Sequence, residues 1–129
     1  MKATQELVND ILVHIKKKHP DSHSNGLRLN RDKPKDTPLV YIDNADFLNQ
    51  VRRSQIWVEW AKGFGLRKTI NTFNSSYGIK HAIEKNEMSE GYVCNMAAIV
   101  ALLIEKVTIT DDYNPRTNLS KKVFKERNS

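Results

Sequence analysis

The stretch Asn95-Met96-Ala97-Ala98-Ile99-Val100-Ala101-Leu102-Leu103-Ile104-Glu105-Lys106 decides the fold. Its apolar residues fall on nearly every side of a helical spiral rather than on one stripe. A helix of that kind is surrounded by protein, so Met96 to Lys106 reads as a core helix, with Asn95 placed to cap it. The apolar run Met96 to Ile104 is far shorter than the roughly 20 residues a bilayer-spanning helix requires. A central helix needs amphipathic neighbours, and the sequence on both sides supplies them.

Upstream, Leu7, Val8, Ile11, Leu12 and Ile15 recur at three- and four-residue spacing and predict a helix from Gln5 to Lys18. Thr4 can cap it, Glu6 suits its first turn, and Lys16, Lys17 and Lys18 suit its last. Pro20 ends it. Asp43 or Asn44 caps a helix through Phe47, Leu48 and Val51. A further helical stretch, Ser54 to Lys62, carries Ile56, Trp57, Val58, Trp60 and Ala61, either as a separate helix or as the far arm of one bent helix. Gly63 and Gly65 close this unit. Short helices are predicted over Leu66 to Phe73 and Tyr77 to Lys85, with a break at Asn74, Ser75 and Ser76.

Beyond the central helix, Val107 to Thr110 alternates β-branched residues and predicts a strand. Asp111 to Pro115 is a turn, Thr117 to Leu119 a second short strand, and Ser120 the cap of a final helix. Leu39 to Ile42 suits a strand or a lead-in to a helix. The expected fold is mainly α: one helical domain over residues 1–129 with a small β element. That element is a hairpin or wing near Val107 to Leu119, so a helix-turn-helix or winged-helix-like form is open. Residues 19–38 read as a polar basic loop or arm with Gly26, Pro34 and Pro38, and residues 116–129 as a basic C-terminal tail.

The 129 residues suffice for one domain, which at this size buries on the order of two-thirds of its unfolded surface. Charged residues make up 28% and the net charge is +6. That surplus points to polyanionic partners, namely nucleic acid, an anionic membrane or an acidic protein face. Cys94 is the only cysteine, which excludes an intrachain disulfide and a cysteine zinc site. A reducing, cytoplasmic setting is expected, with no membrane partner. Glu6, Asn9 and Asp10 interrupt the first apolar stretch, so no signal peptide is expected.

Two stretches carry candidate binding chemistry. Ile56 to Lys62, the Gly63-Phe64-Gly65 turn and Leu66 to Phe73 have the outline of a helix-turn-helix, although Asn71 occupies the slot where its second helix needs an apolar residue. In that reading Arg67, Lys68, Thr69, Asn71 and Thr72 face the partner. Arg and Asn suit guanine and adenine edges, and Lys suits phosphate. The second stretch is Asn74 to His81. Ser75 and Ser76 at a helix start leave backbone N–H groups for an anion, and Tyr77, Lys80 and His81 share one helical face. The alternative there is a structural cap with Lys80 paired to Glu84.

Other residues read as structural. His14, His19 and His23 are separated by a helix break and read as surface side chains, so no metal is expected. Trp57 and Trp60 suit core packing before base stacking. Cys94 reads as a small buried residue. Ser75, Lys80 and His81 lack a third partner and an oxyanion element, so no enzyme and no cofactor is expected.

The strings Ser75-Ser76-Tyr77-Gly78-Ile79-Lys80-His81 and Gly91-Tyr92-Val93-Cys94-Asn95-Met96-Ala97-Ala98-Ile99 resemble a group of small bacterial proteins carried on phages, plasmids and other mobile elements. Their shared pattern is S-S-Y-G-L-K-H, then Y-V-S-N-G and a helix of small apolar residues. The resemblance runs from Trp57 onward, and Cys94 and Met96 stand where the pattern has Ser and Gly. It implies a setting, regulation of mobile DNA or interference with host defence, and no particular activity. Two functions are therefore expected: a small basic protein that binds nucleic acid, DNA first, at Arg67, Lys68, Thr69, Asn71, Ser75, Ser76, Tyr77, Lys80 and His81; or an anti-defence inhibitor, anti-CRISPR-like, that binds a host protein.

Overall fold

The computed structural model describes residues 2–20, 22, 26–27, 45–70, 75–85 and 92–123. Among them lie four helices: α1 (Gln5–Lys18), α2 (Ala45–Lys62), α3 (Ser76–Lys85) and α4 (Asn95–Ile104). The predicted cap at Asp43 or Asn44 and the run Leu39 to Ile42 fall outside the described residues.

α4 is the centre. Its residues from Asn95 to Leu102 are all buried, as is Ile104. It packs most extensively on α2, then on α3 and α1. Each large apolar side chain taken out of water there contributes about 1.5–3 kcal/mol. Cys94, not Asn95, takes the cap position, with extended backbone. The helix stops at Ile104, two residues before the predicted end. Lys106 N–H donates to Leu103 O (3.1 Å) and Val107 N–H to Leu102 O (2.9 Å), and Lys106 has φ 60°. This is a Schellman stop with lysine where glycine is usual, so no glycine announces it in the sequence.

α1 is built as its pattern requires. Thr4 Oγ1 accepts from Leu7 N–H at 3.2 Å, and Val8, Leu12 and Ile15 are buried. α2 is one continuous helix, the second of the two alternatives the sequence left open. Its buried positions are Phe47, Gln50, Val51, Ser54, Gln55, Trp57, Val58 and Ala61, an unbroken helical stripe. Three of these are polar, which interrupts the apolar signal in the sequence. Each is satisfied inside. Gln50 Oε1 accepts from Cys94 N–H (2.8 Å), and Ser54 Oγ donates to Gln50 O (2.8 Å). Gln55 Oε1 accepts from Ala3 N–H (2.9 Å), while Gln55 Nε2 donates to Glu105 Oε2 (2.8 Å). Two glutamines on α2 thus hold the residues that flank α4 at both ends.

The helix predicted over Leu66 to Phe73 does not form over residues 66–70, and residues 71–74 lie outside the described set. Gly65, at φ +88°, donates to Lys62 O (2.9 Å) and turns the chain out of α2. Leu66 then forms an antiparallel bridge with Leu119. Backbone pairing with a strand leaves nothing for helical hydrogen bonds, so the second helix of a helix-turn-helix is missing where Arg67, Lys68 and Thr69 sit. The small β element does lie near Val107 to Leu119. Ile109 bridges Thr117, Thr110 N–H donates to Arg116 O (3.0 Å) and Asn118 N–H to Thr108 O (3.2 Å). Thr117, Leu119 and Val123 are buried, so the stretch read as a basic tail begins inside the fold. Part of the stretch read as a polar arm is inside too. Leu27 is buried, and its N–H donates to Tyr113 O at 3.2 Å.

Candidate nucleic-acid interface

Residues 115–119 form a seam that joins the segment after α2, the start of α3 and the other arm of the hairpin. Pro115 O accepts from Ser76 N–H (2.6 Å) at the start of α3. Arg116 bridges Ser75, Thr117 bridges Ile109, and Leu119 bridges Leu66. Asn118 does the most at one position. Its Oδ1 accepts from Thr108 N–H (3.1 Å), its Nδ2 donates to Arg67 O (3.0 Å), and its backbone O accepts from Arg67 N–H (2.7 Å). One side chain therefore clamps the segment after α2 to the hairpin.

That clamp brings Arg67 beside the start of the last turn. Arg67, Ser120, Lys121 and Lys122 line a cavity of about 360 Å³. Ser120 Oγ accepts from Lys122 N–H (3.2 Å), which leaves its hydroxyl hydrogen to donate. Arg67, Lys68, Arg116, Lys121 and Lys122 are all exposed. Among the described residues no carboxylate pairs with Arg67, Lys68, Arg116 or Lys122. Sequence reasoning had Arg67 and Lys68 but placed Lys121 and Lys122 on a separate tail. Only the pairing of residue 119 with residue 66 joins them, and no local pattern encodes it. Thr69 is exposed on the same segment, and Asn71 lies outside the described residues.

The second predicted cluster is closed. Ser76 is fully buried and its N–H is taken by Pro115 O, so the expected anion cradle is occupied by the protein itself. Ser75 is half-buried and bridges Arg116. Lys80 is only 6% exposed. Its Nζ lies 3.0 Å from Glu84 Oε1, 4.6 Å from the centre of the Tyr92 ring and 5.7 Å from that of Tyr77. Glu84 Oε1 also meets His81 Nδ1 at 3.4 Å, and Glu84 Oε2 accepts from Val93 N–H at 3.2 Å. His81 stands edge-on to Tyr77, with ring centres 4.5 Å apart. The structure thus brings Tyr77, Lys80 and His81 together as predicted, and adds Tyr92, which the sequence did not single out. Glu84 answers the charge, so Lys80 is not presented to an outside phosphate.

The remaining candidates take structural places. His19 turns inward instead of lying on the surface. Its Nε2 is 3.3 Å from Asp111 Oδ1, which Lys18 also approaches at 3.5 Å. His14 is exposed, and His23 lies outside the described residues. Among the described residues no three His, Cys, Asp or Glu side chains converge to hold a metal. Nor is any described helix long and apolar enough to cross a membrane. Cys94 is buried, and burial pushes its thiol up to about 11. Backbone hydrogen bonds at Ala97, Met96 and Cys94 itself and the Lys80 charge pull the other way without reversing that shift.

Trp57 is fully buried, whereas Trp60, three residues on, is 40% exposed. The Trp60 ring is braced by Phe64 in an edge contact at 5.1 Å and 77°, and by Trp57 at 5.9 Å. Compared with known protein families, with curated proteins and with solved structures, the chain matches none, so the site is read from its own geometry.

Proposed function

We propose that this protein binds nucleic acid through the basic groove between the segment after α2 and the end of the hairpin. One observation carries the reading: Arg67, Ser120, Lys121 and Lys122 line a single cavity, and no carboxylate among the described residues pairs with Arg67 or Lys122. Lys62 and Lys80, by contrast, meet acids, Glu105 at 3.5 Å and Glu84 at 3.0 Å. Cations without such partners, as Arg67 and Lys122 are among the described residues, hold counterions near them. A phosphate chain replaces those ions and releases its own, which drives association entropically. Arg67 suits a bidentate phosphate contact, the lysines act as point charges, and the Ser120 hydroxyl adds a neutral donor. These contacts fix a backbone in place without reading sequence. The likeness to mobile-element proteins makes DNA the first polyanion to try.

The test is fluorescence anisotropy with labelled duplex DNA, single-stranded DNA and RNA between about 50 and 200 mM salt. Binding should weaken linearly in log–log form as salt rises. Replacing Arg67 and Lys68 by Ala should weaken it further while the far-ultraviolet circular dichroism is unchanged. No binding to any of the three at the lowest salt would remove the proposal. Nucleic-acid binding that survives both substitutions, with loss of a protein partner instead, would favour the inhibitor reading.

A further inference from the structure

We infer that Arg116 is a further phosphate-binding residue, and that the site runs from the cavity along the exposed face of residues 116–120 to hold several phosphates of one strand. This rests on the nucleic-acid reading and adds the extent of the contact.

Burial alternates without a break along this stretch. Pro115, Thr117 and Leu119 are buried, Arg116 is exposed, and Asn118 and Ser120 are half-buried. Residues two and four apart in an extended chain share a face. Arg116, Asn118 and Ser120 therefore stand on one side, and the core residues on the other. Pairing holds the chain in this form. Thr110 N–H donates to Arg116 O (3.0 Å) and Asn118 N–H to Thr108 O (3.2 Å) within the hairpin. Ser76 N–H donates to Pro115 O (2.6 Å) and Arg67 N–H to Asn118 O (2.7 Å) from outside it. With its backbone engaged in these bonds, the stretch offers a partner its side chains.

The cavity lies at one end of that face and Arg116 at the other. Ser120 belongs to both, because it shares the cavity with Arg67 and the face with Arg116. From Arg116 to Ser120 is no more than about 14 Å of extended chain, a length that covers about four phosphates along one strand of a duplex. The Arg116 bonds within the hairpin use its backbone. Its N–H donates to Thr110 Oγ1 at 2.9 Å, and its carbonyl accepts from Thr110 N–H. The Asp112 carboxylate accepts from Thr110 Oγ1 at 2.7 Å, and among the described residues no carboxylate pairs with Arg116. Cations spread along an extended strand suit a polymer of evenly spaced charges better than one compact anion. Contacts of this kind fix the position of a backbone.

The experiment uses the full chain and whichever labelled DNA, duplex or single strand, the wild type binds more tightly. The slope of log K against log salt is the readout. Arg116→Ala should make it shallower by about 0.9 on a duplex or about 0.7 on a single strand, as Arg67→Ala should. The double variant should lose about twice as much, because each arginine neutralises its own phosphate. Arg116→Lys keeps the charge and should keep the slope. A wild-type slope in Arg116→Ala overturns the inference and leaves the nucleic-acid reading in place. So does a double variant no shallower than Arg67→Ala, which would put both arginines on one phosphate. So does an Arg116→Lys slope as shallow as that of Arg116→Ala, which would make the residue structural. Failure of the wild type to bind either form of DNA at the lowest salt overturns both readings.

Discussion

Lys80 and Arg67 are both cations in polar stretches of the same sequence, and both were candidates for the same job. Lys80 projects from a helix, is almost wholly buried, and meets Glu84 at 3.0 Å between two tyrosine rings. Arg67 lies on an irregular segment, is exposed, and faces Lys121 and Lys122 across a cavity. The difference comes from the backbone around each. At Lys80 the helix sets a carboxylate four residues on, the spacing at which opposite charges meet. At Arg67 there is no helix, and the strand that pairs with it brings further cations. A helix makes a charge pair with itself; a strand seam takes whatever the distant chain supplies. One region pairs its charge within the fold, and the other leaves Arg67 exposed without a carboxylate partner among the described residues.

The sharpest way to break this comparison is to remove each cation and measure stability. Lys80→Ala leaves the Glu84 carboxylate partly buried, with His81 and Val93 N–H as its remaining partners. Breaking a buried pair costs about 3–5 kcal/mol, and the partial exposure of Glu84 lowers this to about 2–3 kcal/mol. Arg67→Ala should change stability by less than about 0.5 kcal/mol, as surface substitutions do. Urea unfolding of both variants checks this. Equal losses would mean that Arg67 is structural.

Much of the closed region was readable in advance, because helices write their contacts locally. α1 stands where its spacing, cap and Pro20 put it, and the i, i+4 pairing of Lys80 with Glu84 was an open alternative. The burial of α4 followed from its composition. What stayed hidden was non-local. The sequence leaves α2 open as two helices or one bent helix because Gln50, Ser54 and Gln55 look like surface residues, yet each is buried against a partner about 50 residues or one helical turn away. The segment 66–70 has an acceptable helical pattern, and its loss to Leu119 and Asn118 depends on a strand more than 50 positions later. The basic groove was hidden for the same reason.

The closed region should also respond to alkali in a way the open one does not. The Cys94 thiol ionises near 9.0 when exposed and at about 11 in the folded protein, because burial disfavours the thiolate. Below pH 9 both states keep the proton and stability is untouched. As pH rises from 9 to 11 the unfolded chain loses its proton first, so stability falls. The loss should reach about 2 kcal/mol near pH 11. Subtracting the unfolding curve of Cys94→Ala at each pH isolates it. A flat difference would mean that the thiol is reached by water.

Binding should show the reverse ranking. If Arg67 contacts one phosphate of a duplex, Arg67→Ala should lower the slope of log K against log salt by about 0.9 and weaken affinity roughly tenfold at 0.1 M salt. His81→Gln, in the region whose charge Glu84 answers, should leave the slope unchanged. A slope that moves with His81 and not with Arg67 would reverse the assignment of the two regions.

The smallest effect tests whether the seam, and not the charges alone, makes the groove. Asn118→Ala removes no charge. It deletes the hydrogen bonds from Thr108 N–H and to Arg67 O, while the backbone bond from Arg67 N–H can persist. Both lost contacts are exposed, so water replaces part of each and the cost should be about 1 kcal/mol. The segment that carries Arg67 and Lys68 should then loosen from the hairpin, and its amide hydrogens should exchange faster while those of α4 do not. Affinity for nucleic acid should fall with the net charge still +6. Unaltered affinity would show that Arg67 and Lys122 bind as independent charges, and that the cavity between them has no part in holding a phosphate chain.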